Sequence, residues 1–73
     1  MKEYIRQTDK GMVCNHPAVE KYWEWGGGSL YGPMYHITSI KLKDGTTHEF
    51  KAIADKYHDA VEECNKFLNT IPE

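Results

Sequence analysis

Apolar positions along this chain follow two different periods, and the change between them falls near residue 53. From Ile53 onward, Ile53, Tyr57, Ala60, Val61, Cys64, Phe67, Leu68 and Ile71 recur at intervals of three and four, which predicts a single amphipathic helix from about Ile53 to Thr70, ended before Pro72. Its opposite face carries Asp55, Asp59, Glu62, Glu63 and Lys66. Earlier in the chain, turn signals at Asp9-Lys10-Gly11, Asn15-His16-Pro17, Gly26 to Gly28, Gly32-Pro33 and Asp44-Gly45 cut the sequence into pieces of strand length.

The segment from Tyr35 to Phe50 reads as a β-hairpin whose register follows from side-chain parity. A two-residue turn at Asp44-Gly45 would set Phe50 on the face opposite Ile40 and Leu42. A three-residue loop, Lys43-Asp44-Gly45, instead pairs Leu42 with Thr46, Ile40 with His48 and Thr38 with Phe50, so that all three large apolar residues share a face. Gly45 then sits at the bulge with positive φ, where a Cβ would be penalised. Thr8-Asp9-Lys10-Gly11-Met12 repeats this turn chemistry and predicts a shorter hairpin joining residues 2 to 8 with 12 to 14. Residues 18 to 25 fit helix or strand; ring and β-branched content favours a strand with Val19, Lys21, Trp23 and Trp25 on one face. On that reading either Trp23 or Trp25 is buried beneath the helix, and Tyr22 and Glu24 point the other way.

These elements predict an α+β fold in one domain, residues 1–73: a small antiparallel sheet of three or four strands with one C-terminal amphipathic helix packed on one face. Seventy-three residues bury only about 60% of the surface their unfolded chain exposes, so a partner or a second copy is expected to help.

Composition narrows the functional classes. Nine Lys and Arg against eleven Asp and Glu give a formal charge of −2. Between Tyr22 and Ile40 there is no Lys or Arg, so the stretch richest in rings lacks cations for phosphates, and nucleic acid is disfavoured as a partner. No apolar run approaches the length of a membrane span, the opening residues do not resemble a signal peptide, and a cytoplasmic location is expected. Cys14 and Cys64 lack metal-ligand spacing, as do His16, His36, His48 and His58; the cysteines read as small buried hydrophobes, and neither a metal nor a cofactor is expected. Gly26-Gly27-Gly28-Ser29 lacks the Lys of a phosphate loop and reads as a mobile hairpin loop. With no nucleophile and base pair or clustered carboxylates signalled, the chain is read as not an enzyme.

The informative stretch is Tyr22 to Tyr35, which gathers five of the nine aromatic residues and four of the six glycines with one formal charge, Glu24. Rings in a charge-poor, glycine-jointed segment suit the centre of a contact surface. The leading expectation is therefore a small protein-binding module, an inhibitor or adaptor of the kind phages and mobile elements direct at larger, nucleic-acid-processing proteins. Tyr22, Trp25, Tyr31 and Tyr35 would anchor it, and Asp59, Glu62 and Glu63 would orient it toward a basic partner surface. Two alternatives remain open: a small-ligand or nucleotide-binding domain built on the rings and glycines, and a homo-oligomer in which the ring patch meets its own copy.

Overall fold

The computed structural model describes residues 1–28 and 30–73. Strands β1 (Ile5–Thr8) and β2 (Gly11–Cys14) form a two-stranded ribbon. Strands β3 (Val19–Gly28), β4 (Met34–Leu42) and β5 (Thr47–Ile53) form a three-stranded antiparallel sheet in that order, and helix α1 (Tyr57–Leu68) packs on one of its faces. The fold is α+β, as the two periods predict.

The β4–β5 hairpin has the expected register: Thr38 opposes Phe50 and Ile40 opposes His48. The Leu42 amide donates to the Thr46 carbonyl and the Gly45 amide to the Leu42 carbonyl, both at 2.9 Å, with Gly45 at φ +93°. The first hairpin differs by one residue. Thr8 opposes Gly11 directly across a two-residue turn at Asp9-Lys10, where the sequence pattern predicts a looped-out Gly11. Parity explains the difference: the observed register pairs Ile5 with Cys14 and Gln7 with Met12, which puts Ile5, Met12 and Cys14 together against the core. The looped-out alternative would turn Met12 and Cys14 away from Ile5.

Residues 18 to 25 are strand, but the expected facing is inverted. A β-bulge lies between Val19, which opposes Leu42, and Lys21, which opposes Lys41, and it inserts one residue into the alternation. Val19 consequently packs on the core, while Lys21, Trp23 and Trp25 emerge on the face away from the helix. Neither tryptophan lies beneath α1. Tyr22, opposite Ile40, and Glu24, opposite Thr38, point under the helix instead. Gly26 to Gly28 are also not a loop, because they continue β3 opposite His36, Tyr35 and Met34; Ser29 lies outside the described residues. Gly28 is required where it stands: φ is +150°, and a Cβ there would come within 2.7 Å of the Pro33 carbonyl.

The helix begins later than Ile53. Ile53 ends β5, Ala54–Lys56 form one 3-10 turn, and α1 starts at Tyr57 without a side-chain cap. Ile53 satisfies both periods, since it follows Lys51 in the strand alternation and precedes Tyr57 by four; the strand wins, and the side chain faces the side away from α1. The core joins Ile40, Leu42, Cys64 and Leu68 to Tyr4 and Ile5, with Tyr22, Phe50, Val61 and Phe67 around it.

The N-terminal segment is held by amide side chains rather than by a strand. Asn65, buried on α1, accepts the Tyr4 amide at 2.7 Å and donates to the Lys2 carbonyl at 2.8 Å, and Asn69 adds a second bond to Lys2. His16, also buried, accepts the Ala18 amide through Nδ1, so its Nε2 carries the proton donated to the Ile71 carbonyl. Replacing Asn65 with leucine strands the buried Tyr4 amide, while the Lys2 carbonyl keeps Asn69, and an expected loss of about 1 to 3 kcal/mol follows. Urea unfolding checks it, and a loss below about half a kcal/mol would show that the staple carries no stability.

Candidate functional site

The helix covers one face of the three-stranded sheet and leaves the other open. Strand parity places on the open face Lys21, Trp23, Trp25 and Gly27 from β3, Tyr35, Ile37, Ser39 and Lys41 from β4, and Thr47, Glu49, Lys51 and Ile53 from β5. No second layer of backbone lies over them among the described residues, yet Ile37 and Ser39 are buried. Their cover is the rings. The Trp25 indole donates from Nε1 to Ser39 Oγ at 3.0 Å, and its six-membered ring lies 3.5 Å from where a Gly27 Cβ would stand, beside Ile37. Glycine at 27 thus lets a large ring lie against the sheet with its outer surface in water. Trp25 is 43% exposed and fixed at its polar end, which is the condition for a pre-organised anchor.

Lysines border these rings. Lys21 Nζ stands 5.3 Å from the Trp23 ring centroid and Lys51 Nζ 4.3 Å from that of Tyr35, both within cation–π range. Lys41 pairs loosely with Glu20 at 3.7 Å. The cations absent from the sequence between Tyr22 and Ile40 are therefore supplied by positions 21, 41 and 51, which strand pairing gathers onto one face. At the end of the β3–β4 hairpin Leu30, 89% exposed, and Tyr31, 97% exposed, add further apolar surface, while exposed Met34, opposite Gly28, has the parity of the helix side.

The residues singled out from sequence are thus divided between two sides. Trp25 and Tyr35 lie on the open face and Tyr31 at the hairpin tip beside it. Tyr22 does not join them: its ring packs on the core under α1 and its hydroxyl donates to Glu24 at 2.5 Å. Asp59, Glu62 and Glu63 are exposed on the outer side of α1, across the sheet from the rings, so one flat partner surface cannot meet both groups.

Under the helix, Glu24 is the hub of a polar cluster. Its carboxylate accepts from Tyr22, from His36 Nε2 at 2.7 Å and from Thr38 Oγ1 at 2.8 Å, and the Tyr57 ring lies 5.6 Å from that of His36. Burial pushes the Glu24 carboxyl up, but donation by His36, Tyr22 and Thr38 outweighs it and holds the group below its ordinary range. Burial first, and then the bond to Glu24, raise the Tyr22 phenol above its usual value. The cluster is closed on itself, with every donor spent on one carboxylate.

Cys14 and Cys64 both pack against the core, and burial raises both thiols, Cys64 to about 12. A groove of about 430 Å³ runs between the β1–β2 ribbon and the first half of α1, with Ile5, Met12, Tyr57 and Val61 as its floor and exposed Arg6 and Glu62 at the rim. Its buried polar side chain, Asn65, is already bound to Lys2 and Tyr4, leaving little to orient a small ligand. Among the described residues, no group of three metal-ligating side chains converges and no helix is long and apolar enough to cross a membrane.

Comparison with known proteins leaves the open face to be read from its own geometry: no family model matches the chain, and neither a curated protein nor a solved structure matches it significantly.

Proposed function

We propose that this chain is a small non-enzymatic protein-binding module that acts by occupying a surface of a larger protein, as an inhibitor or adaptor, through the open face of its three-stranded sheet and the adjoining hairpin tip. The observation that carries this reading is Trp25, a half-exposed indole tied to buried Ser39 and laid over Gly27, in a hairpin whose tip exposes Tyr31. Rigid rings of this kind supply contact area at low entropic cost, and a contiguous apolar patch on a small chain marks an interaction surface.

Charge indicates what the patch accepts. Lys21, Lys41 and Lys51 outnumber Glu49 and the Glu20 that pairs with Lys41, so the complementary protein surface is acidic, whereas the acidic side of α1 would have called for a basic one. A nucleic-acid backbone is served less well. Three lysines, two of them lying over rings, fall short of the six to ten phosphate contacts of a typical binder, in a chain whose formal charge is −2.

Immobilised wild type should retain a protein from a lysate of the native host, and Trp25→Ala with Tyr31→Ala should weaken that capture by about 30-fold, the scale of a hot-spot loss of 2 kcal/mol. Lys51→Glu should weaken it further at low salt than at high salt. Undiminished capture by the double variant, with its helical circular dichroism unchanged, would refute the reading.

A further inference from the structure

We propose that two copies of this chain associate by pairing β3 with β3, antiparallel, about a two-fold axis through Trp25 and perpendicular to the sheet, to give one continuous six-stranded sheet. The edge is argued from the backbone and register of β3 and does not depend on the function assigned to the open face, although Trp25 belongs to both.

Strand β3 is the longest in the fold and lies at an edge, while α1 contacts β4 and β5. Among the described residues, no backbone hydrogen bond from another element reaches its outer side between Tyr22 and Gly28. Natural sheets protect such edges with lysine, proline, bulges or a covering element. Here protection stops early: the bulge at Val19/Lys21 distorts the start of the strand, and Tyr22 to Gly28 contain no Lys, Arg or Pro. Their single charge, Glu24, points under the helix and is met by three donors.

The sequence of this edge is complementary to itself in one register. A two-fold axis perpendicular to the sheet keeps each face on its own side, so opposed residues must share parity. Centred on Trp25, the pairing sets Tyr22 opposite Gly28 of the partner subunit, Trp23 opposite Gly27 of the partner subunit and Glu24 opposite Gly26 of the partner subunit. Each large side chain then meets a glycine, which leaves room for it, and Trp25 meets its own copy at the axis. Centring on Glu24 would bring two carboxylates face to face. In the Trp25 register no like charges oppose. The two open faces become coplanar, with the tryptophans of both copies in the middle and the lysines outside them.

Sedimentation equilibrium of the wild type should show reversible association to twice the chain mass. Trp25→Lys and Trp25→Glu, each placing like charges across the axis at a side chain that is already half exposed, should each associate at least about tenfold more weakly. An equimolar mixture of the two should recover the dimer as a mixed pair. Backbone amides between Tyr22 and Gly28 in the wild type should gain protection from hydrogen exchange as concentration rises, a readout that needs no variant. A wild type that stays monomeric at all attainable concentrations overturns the proposal. So does undiminished association of either variant, or a mixture that stays monomeric while the wild type pairs.

Discussion

Leu68→Ala is expected to lower stability by about 3 to 5 kcal/mol, the range for a fully buried leucine whose surroundings cannot collapse. Leu68 is wholly buried where three parts of the molecule converge: Tyr4 and Ile5 from the N-terminal segment, Ile40 and Leu42 from the sheet, and Cys64 from the preceding turn of α1. Because these come from independent elements, no single side chain can move to fill the space. A chain of this length carries roughly 4 to 11 kcal/mol in total, so the variant would be partly unfolded at ordinary temperature, its midpoint lowered by more than about 12 °C. Truncating Trp25 removes more atoms but should cost less, about 2 kcal/mol, because nearly half of its surface is already in water and Ser39 gains access to solvent when the indole goes. The pair separates fold from function: Leu68 should matter to the melt and Trp25 to partner capture. Equal melting shifts for the two would mean that the open face is part of what holds the chain together.

The largest rings face water while a carboxylate faces the helix, an arrangement that runs against burial alone. One residue brings it about. Were β3 regular, Val19 would carry Trp23 and Trp25 with it onto the core side; the bulge after Val19 lets the valine stay inside and turns both indoles out. The cost of taking Glu24 inward is offset by Tyr22, His36 and Thr38, which leave the carboxylate with no unmet bond. A local departure from the simple pattern that displays apolar surface is where a binding site is expected.

That departure also marks the limit of what the sequence reveals. The β4–β5 register is legible because only one loop length places Ile40, Leu42 and Phe50 on one face, and the helix is legible because its stripe runs from Tyr57 to Leu68 without interruption. The facing of β3 is not, since parity counted from Val19 carries no sign of an inserted residue. Ile53 misleads because it fits both periods, and Gly26 to Gly28 mislead because glycines that make room for Trp25 and for the Pro33 carbonyl resemble glycines that make a loop. The lysine border is invisible along the chain, where Lys21, Lys41 and Lys51 are far apart, and becomes a cluster only once the strands are paired. Asn65 gave a weaker signal: an amide next to Cys64 in an apolar stripe is a place to look for a backbone partner, which turns out to be the segment from Lys2 to Tyr4.

Stability should form a dome in pH whose two sides have separate causes. On the acid side the group is Glu24, held below its ordinary 4.5 in the folded state by His36, Tyr22 and Thr38 against the opposing effect of burial. A lowered folded value means that its contribution is present above about 4.5 and is lost as pH falls through the folded value. Glu24→Gln should lose stability at neutral pH but show a shallower decline below it. On the alkaline side the signs reverse. Cys64 is raised from 9.0 to about 12 by burial, Cys14 is raised from the same value, and Tyr22 is raised from 10.0, so the folded state holds protons that the unfolded chain releases. The contribution of the thiols is complete below about 9 and that of the phenol below about 10, and each declines as pH rises from there, by about 1.4 kcal/mol per pH unit while the folded form stays protonated. Cys64 alone then accounts for a loss of a few kcal/mol by pH 11, a large share of what a chain this short has. Cys64→Ala leaves a small cavity and should be somewhat less stable at pH 7, yet its stability should fall less steeply between pH 9 and 11, so that the two curves converge. Urea unfolding across that range reads both slopes, and parallel curves for wild type and Cys64→Ala would show that the thiol is not enclosed between α1 and the sheet.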